Sequence, residues 1–145
     1  MCLKLASKKL VAETDLLVYK CIDYDKDTDT YCTPFQYLPI VFKDGVTVIE
    51  GGDNALAIER VWSNQLNKMT TVINFGVHAY TTKKEAVDTA NLFPASGTEV
   101  YYAIIPKGCP YYLGLNFDIV TTKLIVFRTK MNFNKYAKGK EIKEI

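Results

Sequence analysis

Apolar residues along the chain fall into short runs separated by polar, Gly-bearing or Pro-bearing stretches, the pattern of strands and brief helices. Residues 16–22 (LLVYKCI) are apolar and β-prone, and the acidic DYDKDTD follows them. This predicts a buried strand leading into an exposed turn. Residues 31–37 (YCTPFQY) contain Pro34, whose missing N–H predicts an edge strand or extended connector. The runs at 38–42 and 46–50 flank Lys43-Asp44-Gly45 and predict a β-hairpin, the Gly supplying positive φ. Beyond Gly51-Gly52-Asp53 the period changes. Ala55, Ile58, Val61 and Trp62 recur at helical spacing around Glu59 and Arg60, predicting an amphipathic helix over about 54–63 and then a polar loop over 63–70. Residues 71–80 (TVINFGVHAY) read as a strand with an internal Gly. Thr82 and Glu85 then stand in the capping-box relation and open a helix to about Asn91 that buries Ala86 and Ala90 and ends before Pro94. The last third is the most strand-like, with runs at 98–106, 109–113 and 123–129 punctuated by Lys107-Gly108 and Gly114.

These elements predict an α+β class: a β-rich single domain over 1–133 with an antiparallel or mixed sheet and one or two short helices. Residues 134–145 (NKYAKGKEIKEI) read as a charged tail, frayed or ordered on a partner. A domain of this length buries roughly 68–70% of its unfolded surface, so it needs neither metal nor disulfide to fold. With 48% hydrophobic and 23% charged residues the chain is not of the disordered class.

The net charge of +2 is too small to indicate nucleic acid, which needs clustered Lys and Arg. The basic excess is concentrated at Arg128, Lys130, Lys135, Lys138, Lys140 and Lys143, against Glu141 and Glu144. There is no apolar run of about 18 residues to span a membrane, and lysines interrupt the first residues where a signal peptide would be continuously apolar. The expected location is a reducing cytoplasm. Cys2, Cys21, Cys32 and Cys109 form no C-x-x-C pair, which agrees with free thiols, although a Cys21–Cys32 bridge can be drawn.

The inventory of chemical groups removes most enzyme templates. There is one His, no spaced Cys/His pairs for zinc, no G-x-S-x-G and no Gly-rich phosphate cradle. Asp23, Asp25, Asp27 and Asp29 imitate a calcium loop, but Thr28 stands where Gly is required and Pro34 where a bidentate Glu is required. No cofactor is expected. His78 ends a predicted strand just before a helix N-terminus, where free N–H groups favour an anion. Together with Tyr80, Thr82, Lys20 and Lys107 it forms the candidate site for a small anionic ligand or nucleotide, the alternative being a packed framework His. A Cys109–His78 dyad and stacking by Tyr101-Tyr102 or Tyr111-Tyr112 are further arrangements the residue types allow.

The segments DLLVYK (15–20), TPFQY (33–37), FGVHAY (75–80), IPKGCPYYLG (105–114) and DIVTTKLIV (118–126) together resemble a family of small uncharacterised proteins. Phages, Bacteroidetes and related gut bacteria encode them, and they carry G-[FV]-H-[AS]-[FY] and I-P-K-G-x-x-Y-Y-x-G segments. The resemblance implies a viral or mobile genome and a small domain that builds a virion or counters a host defence, including by sequestering a signalling nucleotide. The spacing of His78 and Tyr80 is distantly similar to ADP-ribosyltransferase-like folds, whose catalytic Glu has no counterpart here. The combined expectation is a non-enzymatic binding or assembly protein with a protein partner or self-association, in the host cytoplasm or the virion. The alternatives are a structural virion subunit, or a transferase or hydrolase acting on a nucleotide and centred on His78.

Overall fold

The run at 16–22 lies within an eleven-residue strand around which the remaining strands are arranged. The computed structural model of the protein describes residues 3–4, 7–34, 38–51, 58–73, 76–92 and 97–145. In chain order the elements are β1 (Leu3–Lys4), β2 (Leu10–Val11), β3 (Asp15–Asp25), β4 (Thr30–Cys32), β5 (Pro39–Ile40), β6 (Val46–Glu50), β7 (Ile58–Ser63), β8 (Lys68–Ile73) and β9 (Val77–Tyr80). There follow α1 (Lys83–Asn91), β10 (Thr98–Ile105), β11 (Pro110–Leu113), β12 (Asp118–Thr121), β13 (Lys123–Phe127), α2 (Lys130–Ala137) and β14 (Ile142–Glu144). The large sheet runs β2-β11-β12-β9-β3-β10-β13-β6, with β4 and β14 attached at β3 and β5 attached at β4; a small sheet runs β1-β8-β7. Pairing is antiparallel except between β14 and β3. Among the described residues the molecule is thus β-rich, with two short helices.

Alternation along the strands sorts the side chains onto two faces. On one face Val18, Ile22, Ala103, Ile119, Leu124 and Val126 are completely buried. Both described helices lie on the other face. There α1 sets Ala86 and Ala90 against Tyr19 and Cys21, and Phe133 of α2 stacks on Tyr102 and meets Phe127 edge-on. With no described helix over it, the first face is covered by the sheet curling on itself, assisted by Tyr31, Ile40 and Phe42. The small sheet joins the outer face where Ile73 packs on Tyr112 and Val120.

The structure corrects five expectations. The hairpin expected from 38–42 and 46–50 does not form: β5 pairs with β4 and β6 with β13, and only an isolated Lys43–Val46 bridge closes the turn between them. Of the helix expected over 54–63, residues 54–57 lie outside the described residues, and Ile58–Ser63 is the strand β7. A helical stripe needs a surface to bury it, yet Val61 and Trp62 face solvent; pairing with β8 instead satisfies the backbone of these β-branched and aromatic residues. The loop expected over 63–70 shrinks to a turn, with Asn67 in the left-handed region, before β8 begins at Lys68. The single strand expected over 71–80 is two strands, β8 and β9, in different sheets, with Gly76 at φ 116° before the second. The tail expected from Asn134 is ordered. α2 begins in a reciprocal cap between Thr129 and Asn132 and anchors Tyr136 on Phe127, after which β14 pairs with Asp15, Leu16 and Leu17 of β3. At α1 the forward half of the predicted cap is present, the Thr82 hydroxyl accepting from the Glu85 N–H at 3.3 Å.

Candidate functional site

Directly paired residues of adjacent strands share a face. Val77 and Ala79 of β9 point into the covered face, so His78 and Tyr80 point to the outer one. There His78 stands opposite Val120, which stands opposite Tyr112, and Tyr80 stands opposite Asp118 on one side and Tyr19 on the other. Lys20 stands opposite Tyr101 and belongs to the covered face, with Val18 and Ile22. Lys20 and His78 therefore meet through the backbone rather than through their side chains. The Lys20 ammonium donates to the His78 carbonyl at 2.7 Å.

Both groups are electrostatically perturbed. Burial drives the Lys20 ammonium down to about 8, and its remaining N–H groups have no protein acceptor among the described residues. Burial, reinforced by the Lys20 charge, lowers His78 to about 4 against the opposing pull of a backbone hydrogen bond with Gly76, so the ring is neutral at pH 7. Among the described residues, His78 Nε2 and Thr70 Oγ1 are the buried side-chain polar atoms without a partner. Asp118 is buried, its carboxyl raised by burial, and its Oδ1 accepts the Asn116 N–H at 3.3 Å.

The other expected site residues disperse. Tyr80 packs with Tyr19 and Cys21 under α1 and shares a hydrogen bond with Thr89; burial raises its phenol. The Thr82 hydroxyl is engaged as the cap of α1. Lys107 lies in the turn after β10, its N–H held by Asp15 Oδ1 at 2.9 Å. That is six residues beyond the Tyr101 that faces Lys20, or about 20 Å along a strand. Cys109 packs against the covered face, away from the His78 ring. The Cys21 thiol donates to the Ala86 carbonyl and is pushed up to about 11 by burial, which makes it a poor nucleophile. The tyrosine pairs split between faces: Tyr101 packs with Tyr31 and Phe42, while Tyr102 stacks on Phe133. The four aspartates of the imitation calcium loop include Asp25, Asp29 and Asp23, which accept from the Asp27 N–H, the Tyr24 hydroxyl and the Thr98 hydroxyl.

A second feature, absent from the sequence reading, is the arm formed by β7 and β8. Its base is buried at Ile73 and Val72, but its far end exposes Val61, Trp62, Leu66 and Met69, with Trp62 opposite Met69 and more than half exposed at 56%. Arg60 and Lys68 flank these apolar groups, and both are exposed. The available signal was the single tryptophan of the chain standing among polar residues, in RVWSNQLNK. No family model, curated protein or solved structure matches the chain.

Proposed function

We propose that the chain is a non-enzymatic binding or assembly protein that engages a protein partner through the β7–β8 arm. The observation that carries this reading is the exposed Trp62 with Met69 opposite it on one face of the hairpin, joined by Leu66 in the turn and by Val61 on the opposite face, because exposed apolar groups ringed by polar ones mark an interaction surface. The likeness of five segments to small phage and Bacteroidetes proteins supports an origin in a phage or mobile element. The partner is then a second copy of this chain, a host-defence component or a virion neighbour, met in the host cytoplasm or the particle. The test is a photo-crosslinking amino acid placed at Trp62 and, as a control, at Asp27 in the acidic turn, in cells making the protein. A discrete adduct at position 62 alone is expected; adducts common to both positions, or none, overturn the reading.

A second reading, a small anionic ligand or nucleotide, is favoured by the unpartnered His78 Nε2 and the spare donors of Lys20. It is the weaker of the two because these groups face opposite sides of the sheet. The test is thermal stabilisation by a nucleotide panel and by inorganic phosphate. Stabilisation that is lost in His78→Ala supports it, and stabilisation unchanged in that variant removes His78 from the site. The transferase or hydrolase alternative needs a carboxylate or thiol acting on the imidazole. Among the described residues, the groups that shift His78 are Lys20 and Gly76, and Asp118 acts on Tyr80 instead.

A further inference from the structure

Resting on that reading of the arm, we infer that its partner is a second copy of this chain. Two β7 strands pair antiparallel about a two-fold axis and join two three-stranded sheets into one of six strands.

The argument begins with the sheet edges. An edge strand presents unpaired N–H and C=O groups, and natural sheets blunt such edges by shortness, bulges, Pro or charge. β1 and β2 have two residues each. At β6 the Val46 N–H and C=O are already bonded to Lys43, and the Glu50 side chain pairs with Lys123 at 3.5 Å. By contrast, β7 runs six residues, its register with β8 is unbroken from Ile58 to Ser63, it contains no Pro, its two charges, Glu59 and Arg60, are adjacent and opposite in sign, and its second edge is free among the described residues.

Side-chain chemistry then selects the occupant. A two-fold axis makes one strand pair with its own copy in antiparallel sense. A register centred on Val61 sets Val61 against Val61 of the second copy and puts Arg60 opposite Trp62 of the second copy, twice by symmetry. Each exposed guanidinium thus meets an exposed indole, a favourable cation–π pair, on the face that Met69 and Thr71 continue from β8. A register centred on Arg60 would oppose two guanidinium groups, so β7 discriminates between the two.

The single Trp makes the seam directly readable, because indole emission reports position 62 alone. The experiment is a concentration series of the purified full chain, followed by sedimentation for mass and by tryptophan emission. A dimer whose formation moves the emission to shorter wavelength is expected. Arg60→Glu, which keeps the indole, should weaken that dimer at least about tenfold while leaving the thermal melt of the monomer unchanged. A dimer with unmoved emission, or one indifferent to Arg60→Glu, overturns the inference. So does a wild-type monomer throughout the series. A monomer that still crosslinks a different protein through position 62 leaves the binding reading standing, and one that crosslinks nothing removes both.

Discussion

Replacing Lys20 by Met tests whether the buried ammonium is a burden on the fold. The folded group is lowered from 10.5 to about 8 by burial, about 2.5 units, which at 1.36 kcal/mol per unit is a penalty of about 3 kcal/mol for holding the charge inside. The sign follows from proton counting. Between pH 8 and 10.5 the unfolded chain binds more protons at this site than the folded one, so stability rises with pH there, and the whole penalty is present below pH 8. Met keeps an unbranched apolar side chain of similar length and loses the charge-assisted bond to the His78 carbonyl, worth about 2 kcal/mol. Lys20→Met is therefore expected to be about 1 kcal/mol more stable than wild type at pH 7, and the difference should shrink as pH approaches 9. Urea denaturation at intervals between those values measures it. The window stops at pH 9 because Cys21, held up at about 11 by burial, makes stability fall beyond that point. A Lys20→Met protein that is less stable at pH 7, by an amount independent of pH, would refute the reasoning and indicate a bound counter-anion.

Three further outcomes follow from named contacts. His78 is lowered to about 4, so the folded state loses stability as pH falls from 6.5 towards 4, by up to about 3 kcal/mol; His78→Gln should flatten the melting temperature over that range, and an unchanged slope would exclude His78 as its source. Gly45 has φ +77°, and a Cβ there would run into the Asn132 side chain that closes the cap of α2, so Gly45→Ala should cost about 1–3 kcal/mol, read by chemical denaturation. Removing 138–145 deletes β14 and the Lys140 contact with the Tyr136 ring, so amide exchange should quicken at Asp15, Leu16 and Leu17 with a loss of about 1–3 kcal/mol. Cutting from Asn134 also removes Tyr136, with its packing on Phe127 and its bond to Asp15, and should destabilise further.

Long β-prone runs were legible in the sequence because most of their residues are buried or half-buried: 16–22 lies within β3, 98–106 takes in β10 and 123–129 takes in β13. The start of α1 was legible because a cap is a local device, fixed by Thr82 and Glu85 alone. What depended on distant partners was not. Asp118–Thr121 is completely enclosed in the sheet yet too short and too polar at its ends to announce a strand. β7 imitates a helix in spacing, and its exposure is decided by where the small sheet attaches through Ile73. Phe133 and Tyr136, one helical turn apart, were hidden among lysines, although they are what orders the segment. For the site, the sequence singles out His78 as the one histidine and offers Lys20 only as a charge beside it. Their placement on opposite faces was beyond the sequence, because it follows from the antiparallel register of β9 and β3.

The position of β3 has a consequence for how the molecule is made. Its main neighbour β10 pairs residues 75 to 89 positions later in the chain, from Thr98 with Asp23 to Ile105 with Leu16. At roughly 5–20 residues per second of synthesis, β3 waits about 4–18 s on the ribosome before that neighbour exists. During this interval an apolar strand of a nascent chain stands with the edge that β10 will cover unpaired, the condition under which chaperones bind and aggregation begins. Folding yield in a cell should therefore respond to translation speed between codons 25 and 98 more than to the final stability of the product.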